Sequence, residues 1–186
     1  MSILAIYPES GGKPGQIIRE NDKIAQTLNQ IGVLFETWNT NVIITDSATQ
    51  DEILKAYEKE VTKLKNQYHF QSSDVVSLNP NHPDRESLRQ KFLPEHTHTD
   101  YEIRFFIDGT GLFYLHVKNM VYVLFCIKGD LISVPANTPH WFDMGKKPSF
   151  KCIRMFTDTT GWVGHSTGNN ISTLFPDYDT FVEEFS

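Results

Sequence analysis

The sequence predicts a mainly β fold, a small barrel or double sheet with helices packed on it, and three observations carry that reading. From residue 101 the chain breaks into short apolar runs rich in β-formers: EIRFFI, LFYLHV, NMVYVLFCI, DLISVP and FKCIRMF. Turn-like segments (DGTG, KN, KGD, PANTP and MGKKPS) separate them, and strands this short and closely spaced fit a closed or doubled sheet. Helical periodicity is confined largely to the first 95 residues. At 186 residues the chain is one domain of ordinary size, which buries roughly 70% of its unfolded surface and needs no disulfide staples.

Ile3 to Tyr7 is a short apolar run closed by Pro8 and Gly11-Gly12. Lys13 to Gln30 reads as a helix ended by Gly32, and Val33 to Trp38 alternates as a strand. Residues 49–68 give the clearest helix. Thr49 and Glu52 form a capping-box signature, and Leu54, Tyr57, Val61, Leu64 and Tyr68 follow at steps of 3, 4, 3 and 4. That stripe should pack on a sheet, with Glu58, Lys59, Lys63 and Lys65 on the solvated back. Asp84 to Phe92 reads as a further short helix with Asp84 as its cap, and the acidic, aromatic tail from Asn169 to Ser186 as ending in a helical turn. There is no internal repeat, low-complexity segment or flexible linker.

Composition narrows the function classes. Seventeen Lys and Arg against 23 Asp and Glu leave a net charge of 17 − 23 = −6, with a pI near 5.6. This balance argues against nucleic acid or an anionic membrane as the main partner. The longest uninterrupted apolar stretch, Met120 to Ile127, is far shorter than the roughly 20 residues a membrane helix needs. The first residues lack a basic region followed by a long apolar core, so no signal peptide and a cytoplasmic location are expected. Cys126 and Cys152 lie in apolar β-like runs and read as two buried free thiols.

The chemistry concentrates in PEHTHTDYEIR, residues 94–104. His96 and His98 are two apart, so on a strand both face one way with Cα atoms about 6.6 Å apart, close enough to converge on one ion. On a straight strand Glu102 would lie about 13 Å beyond His98, so the chain must bend at Thr99-Asp100-Tyr101 for it to join them. Glu102 then opens the next strand with Arg104 on its face. Imidazole with carboxylate suits first-row ions such as iron or nickel; hydrogen-bonded surface histidines are the alternative. In GDLISVPANTPHWFD, residues 129–143, a loop after Pro135 leads to His140, which can supply a third imidazole from a neighbouring strand.

The spacings His96-x-His98-x3-Glu102-x6-Gly109 and Gly129-x5-Pro135-x4-His140 resemble the two motifs of the cupin superfamily. Two departures are Gln90 where a Gly usually precedes the first motif, and Asn137 for the usual Gly of the second, a mild change because Asn tolerates the left-handed region. Within the cupins, EHTHTDYEIRFFIDGTGLFYLH, GDLISVPANTPHWFDMG, IRMF and GWVG resemble the acireductone dioxygenases of methionine salvage. The resemblance is dense over residues 85–175 and loose before them. Arg two residues after the Glu, and HWFDMG, are its most specific marks.

That resemblance implies a cupin-type double-stranded β-barrel, or jelly roll, with several N-terminal helices packed on it. The single domain 1–186 would divide into a mixed helix and strand part (1–92), a metal-binding barrel core (93–168) and an acidic tail (169–186). It implies one Fe(2+) or Ni(2+) per chain on His96, His98, Glu102 and His140, leaving two positions of an octahedron for substrate. Arg104 would be the catalytic cation beside a substrate dianion, with a salt bridge to an acid such as Asp108 as the alternative. Arg154 would be a second cation lining the pocket, or else a structural ion pair. Phe92, Phe142 and Trp162 would wall the substrate, although each could equally be plain core. Glu95 and Tyr101 would have auxiliary roles in metal loading or conformational relay, and Tyr101 departs from the acidic residue often found there. His69, His82, His116 and His165 read as non-ligands.

The implied activity is that of a dioxygenase, an oxidoreductase that puts both oxygen atoms of O2 into 1,2-dihydroxy-5-methylthiopent-1-en-3-one. The iron form would give formate and 4-methylthio-2-oxobutanoate. The nickel form would give formate, carbon monoxide and 3-methylthiopropanoate. The partners would be small molecules, acireductone and O2, acting on a monomer. Another cupin acting on a different ene-diol, or a sensing cupin without turnover, are the rival readings; a sensor has no need of Arg104 beside open metal positions.

Overall fold

The computed structural model describes residues 1–45, 47–157 and 163–186. In chain order they begin with β1 (Ile3–Pro8), β2 (Gln16–Ile18), α1 (Asn21–Asn29), β3 (Leu34–Thr37), α2 (Gln50–Ala56), α3 (Glu58–Tyr68), β4 (Ser72–Leu78) and α4 (Arg85–Phe92). There follow β5 (His96–Thr97), β6 (Glu102–Val117), β7 (Met120–Ile127), β8 (Asp130–Val134), β9 (His140–Asp143), β10 (Phe150–Phe156) and β11 (His165–Ser166). A 3-10 turn (Ile171–Leu174) and α5 (Tyr178–Phe185) end the chain.

All strand pairs are antiparallel, and β6 is shared by two faces. Its first half pairs with β8 and β10, giving the order β3-β8-β6-β10-β4. Its second half pairs with β7 and β9, giving β11-β5-β9-β6-β7-β1-β2. Strand periodicity of two then sorts side chains into a lumen and two outer faces. Phe106, Phe113, Leu124, Ile132, Val134, Phe142, Phe150 and both free cysteines fill the lumen, joined by Ile24 and Leu28 of α1. Ile103, Phe105, Ile107, Ile153 and Met155 face outward under Ile53, Tyr57, Val61 and Leu64 of α2 and α3. Leu112, Tyr114, Val123, Phe125 and Trp141 face the other way under Phe175, Phe181 and Phe185. The mainly β barrel with helices on it is as the sequence indicates. Among the described residues no helix is long and apolar enough to cross a membrane.

Several elements differ from the sequence reading. Lys13 to Gln30 is not one helix: Gly15 N–H donates to Ile6 O, β2 pairs along β1, and the helix starts only at Asn21. The 49–68 helix has its capping box, with Glu52 N–H donating to Thr49, but it breaks at Tyr57 (φ −109°, ψ 22°), and Ile53 rather than Leu54 is buried. Ser72–Leu78 forms β4 although only Val75, Val76 and Leu78 mark it among polar residues, because β10 supplies a full ladder of partners. DGTG does not turn the chain, since β6 runs through it with a bulge. The barrel therefore draws β1, β3 and β4 from the N-terminal part as well. The KN turn has φ of 53° and 61° at Lys118 and Asn119, the signature of a type I′ hairpin, and Asn137 takes the left-handed conformation at φ 61°.

Candidate metal centre

The polar side chains of the lumen gather at one end. Glu102 is the first residue of β6, and the bend before it is fixed by Asp100, whose carboxylate accepts from the N–H groups of Tyr101 (2.7 Å) and Thr157 (2.9 Å). His140 opens β9 and sits directly opposite His96 of β5. One ligand atom from each of His96, His98, Glu102 and His140 lies within 4.8 Å of every other. The ring centroids are 4.6 to 5.1 Å apart.

Local hydrogen bonds decide which nitrogen each ring presents. Nδ1 of His96, His98 and His140 lies 2.8, 3.0 and 2.7 Å from the carbonyl oxygens of Pro94, Val163 and Thr138. A carbonyl only accepts, so each Nδ1 carries the proton and a neutral ring presents a bare Nε2. Glu102 Oε2 is 3.0 Å from His98 Nε2 and 2.9 Å from His140 Nε2. Lone pairs that converge in this way repel one another unless a cation or proton lies between them. Three imidazole nitrogens and one carboxylate oxygen fit a first-row divalent ion.

The electrostatics show a carboxylate that draws positive charge toward it, a proton on an imidazole Nε2 or a cation. Burial pushes His96 down to about 4, with the His140 ring adding to it. Burial also works against the His98 cation, but the bond and charge of Glu102 outweigh it and hold His98 above its ordinary value. Burial alone would raise the Glu102 carboxyl, yet the charge of Arg104 and the bonds from His140 and His98 hold it well below the carboxylate range. Glu102 is 2% exposed, and Arg104 Nε stands 2.7 Å from its Oε1 in an ion pair too poorly aligned to be a hydrogen bond. The Arg104 guanidinium carbon lies 4.5 Å from the Phe142 ring centre, 5.5 Å from Phe113 and 5.7 Å from Phe92, a cation held among aromatic faces.

These residues open into a pocket of about 570 Å³. His96, His98, Glu102, Arg104, Phe92, Phe142 and Arg154 all line it. Arg154 is at once a pocket residue and an ion pair, with Nε 2.8 Å and Nη2 2.6 Å from the two carboxylate oxygens of Asp74. Among the described residues Arg104 pairs with Glu102, and Asp108 sits at the exposed bulge. Trp162 lies outside the described residues. Glu95 is buried with its carboxylate turned to His116 Nδ1 (2.7 Å) and Thr167 Oγ1 (2.7 Å), while Tyr101 is 43% exposed on the bend. His116 also approaches Glu9 (3.3 Å) and, like His69, His82 and His165, is outside the four-residue cluster. Sequence reasoning missed Phe113, Asp74 and the Val163 carbonyl. Strand parity counted from Glu102 points away from Phe113, because the bulge in β6 reverses it, and only the β4–β10 register could have pointed to Asp74.

An antiparallel barrel with three histidines and a glutamate converging at its open end defines a cupin-type metal protein. The sequence model of the ARD/ARD′ family matches residues 7–164. The acireductone dioxygenase of Methylococcus capsulatus is 50% identical over the whole of both chains, and that of Aquifex aeolicus 51% identical over 98% of this chain and 99% of its own. A solved acireductone dioxygenase from Bacillus anthracis, with a cadmium ion in its active center, superposes with a TM-score of 0.77 at 32% identity, covering 88% of this chain and 97% of that one. This chain belongs to the acireductone dioxygenase family.

Proposed function

We propose that the protein is a metal-dependent acireductone dioxygenase of methionine salvage, cleaving 1,2-dihydroxy-5-methylthiopent-1-en-3-one with O2. The observation that carries this reading is the closed cluster His96, His98, Glu102 and His140 with Arg104 buried against Glu102 in a chain of this family. One Fe(2+) or Ni(2+) bound there would supply a Lewis acid that chelates an ene-diolate. The ion would set the products: formate and 4-methylthio-2-oxobutanoate with iron; formate, carbon monoxide and 3-methylthiopropanoate with nickel.

The chain's own residues do the rest. The Pro94, Val163 and Thr138 carbonyls fix the imidazole tautomers, so the nitrogens are set before any ion arrives. The Arg104 guanidinium sits where a substrate dianion would otherwise be uncompensated in an apolar wall. Phe92 and Phe142 flank that cation, exclude water and offer an apolar surface to a methylthio tail. Glu95 braces the back of the His96 segment through His116 and Thr167. Tyr101 sits on the bend that brings Glu102 to the histidines, which is the place for a relay between surface and site. We read the working unit as a cytoplasmic monomer of one domain, acting on small molecules and not on nucleic acid or membrane.

The test is to load stripped protein separately with Fe(II) and Ni(II), add the acireductone, follow oxygen uptake and identify products. Two product sets are expected, with carbon monoxide only from the nickel form. No uptake from either form would overturn the activity; identical products would overturn the metal-controlled branch.

A further inference from the structure

Across β4, β10 and β6 one rung of the sheet carries Asp74, Arg154 and Arg104 side by side. Asp74 shares its face of β4 with Val76 and Leu78, which reach the lumen core, so this rung points inward above an apolar floor. Two guanidiniums directly opposite each other on neighbouring strands repel. Each has its own carboxylate: Arg104 has Glu102 at 2.7 Å, and Arg154 has Asp74. The Asp74 contact is a fork, with Nε to Oδ1 at 2.8 Å and Nη2 to Oδ2 at 2.6 Å. Exposed ion pairs of one contact fix little, but a two-pronged guanidinium–carboxylate fork sets direction as well as charge. The pair is only partly exposed, with the Arg154 side chain 25% and Asp74 34% accessible, and Asp74 is not itself among the residues lining the pocket.

We propose that Asp74 is a positioning residue, clamping Arg154 from the side away from Arg104 so that its guanidinium borders the pocket at a fixed spacing from Arg104. The clamp also cancels the Arg154 charge. Arg154 then presents directed N–H donors to the substrate without adding a second net positive charge beside Arg104. An acireductone has three contiguous oxygens, and an ion that chelates two leaves the third for a donor on the wall. The inference rests on the acireductone dioxygenase reading.

The experiment compares steady-state oxygen uptake of the iron-loaded parent, Asp74→Asn, Asp74→Glu, Arg154→Met and the Asp74→Asn/Arg154→Met double variant. Bound metal and thermal melting are measured on each. The Asp74→Asn change should raise KM about three- to tenfold and leave kcat within about twofold, at parental metal content. The Asp74→Glu change, which keeps the fork, should bring KM back to within about twofold. In the Arg154→Met background the Asn change should add less than about twofold. A lowered melting temperature with unchanged KM marks a purely structural pair and overturns the proposal. So does a KM effect that persists without Arg154, or a KM that falls. If Asp74→Asn does not fold, Asp74→Glu decides: its KM must stay near the parent's while that of Arg154→Met rises. Absence of uptake in the parent itself would instead strike the activity on which the inference rests.

Discussion

Replacing Arg89 by methionine probes the joint that holds the pocket wall together. Arg89 lies on α4, three residues before Phe92, and is 6% exposed. Its Nε and Nη2 stand 2.7 and 2.9 Å from the two oxygens of Asp143, which is 0% exposed on β9, three residues after His140. Asp143 also accepts from the N–H groups of Gly145 (3.0 Å) and Tyr178 (2.8 Å), and Asp177 and Asp179 at the start of α5 lie 3.6 and 3.9 Å from Nη2. One guanidinium therefore ties the helix bearing Phe92 and the strand bearing His140 and Phe142 to the C-terminal helix.

Methionine keeps much of the stem's volume and removes the charge. Breaking a buried pair by deleting one partner costs about 3–5 kcal/mol, because the remaining charge is buried without its counterion. The two backbone donors left on Asp143 place the expected cost near the lower end, at about 3 kcal/mol. For a chain of this length that lowers Tm by roughly 6–12 °C. Chemical denaturation should show a lower midpoint with unchanged m, and metal content should stay close to the parent's. Adding Asp143→Asn to Arg89→Met should recover part of the loss, since no charge is then stranded. A loss below about 1 kcal/mol, or strictly additive single effects, would refute the claim that Asp143 depends on this guanidinium.

Ala at His98 removes one of four ligands, and metal affinity should fall at least about tenfold; full stoichiometry in the purified variant would refute the assignment. Lysine at Arg104 should leave metal content near normal while kcat/KM drops about 10²-fold or more, because an ammonium cannot reproduce a planar guanidinium stacked among aromatic faces; parental turnover would refute the role. Asp130 is buried against Ser2 Oγ (2.6 Å) and Ile127 N–H (2.9 Å), and burial raises its carboxyl from 3.8 to about 6 despite both bonds. A raised acid binds its proton more tightly in the folded state, so its contribution is full below pH 3.8 and is lost as pH rises through 6. That shift of about 2 units means Asp130→Asn should gain about 3 kcal/mol on the parent across the window, read from paired denaturation curves at pH 4 and 7; parallel pH profiles would refute it.

The metal cluster was legible because its information is local. Three ligands lie within seven residues, a turn-prone Thr99-Asp100 bends the chain between them, and the second motif places His140 at the head of a strand. Arg104 was legible for the same reason, sharing a face with Glu102. Arg154 was readable only as two alternatives, and the structure holds both, since the fork to Asp74 leaves it on the pocket wall. Asp74 was not legible. SSDVVSL is too polar to announce a strand, and its pairing with β10 is a long-range event that no local pattern records. The carbonyls that set the imidazole tautomers were equally hidden, because any residue could supply them. In the 49–68 helix the period was right and the continuity wrong. The break at Tyr57 leaves Ile53, Tyr57, Val61 and Leu64 all buried against one sheet face.

The segment DGTG shows most clearly why a local reading fails in this barrel. Four turn-prone residues between two apolar runs are ordinary grounds for a hairpin, yet β6 continues through them for 16 residues. Opposite Lys151 and Cys152 stand Asp108 and Phe106, so Ile107 is an extra residue in the ladder. Gly109 follows at φ 71°, where a Cβ would come within 1.9 Å of Ser149 O, so only glycine allows β10 to pass so close. The extra residue reverses parity. Before it the even positions Glu102, Arg104 and Phe106 face the lumen; after it the odd positions Phe113 and Leu115 do. Without it Tyr114 would enter the lumen instead of donating its hydroxyl to Pro176 O (2.6 Å), and Phe113 would leave the guanidinium of Arg104. One strand thus supplies a metal ligand and a cation from its first half, and part of that cation's aromatic seat from its second. A hairpin at DGTG could not have done this, because it would have ended the strand before Phe113 reached the lumen.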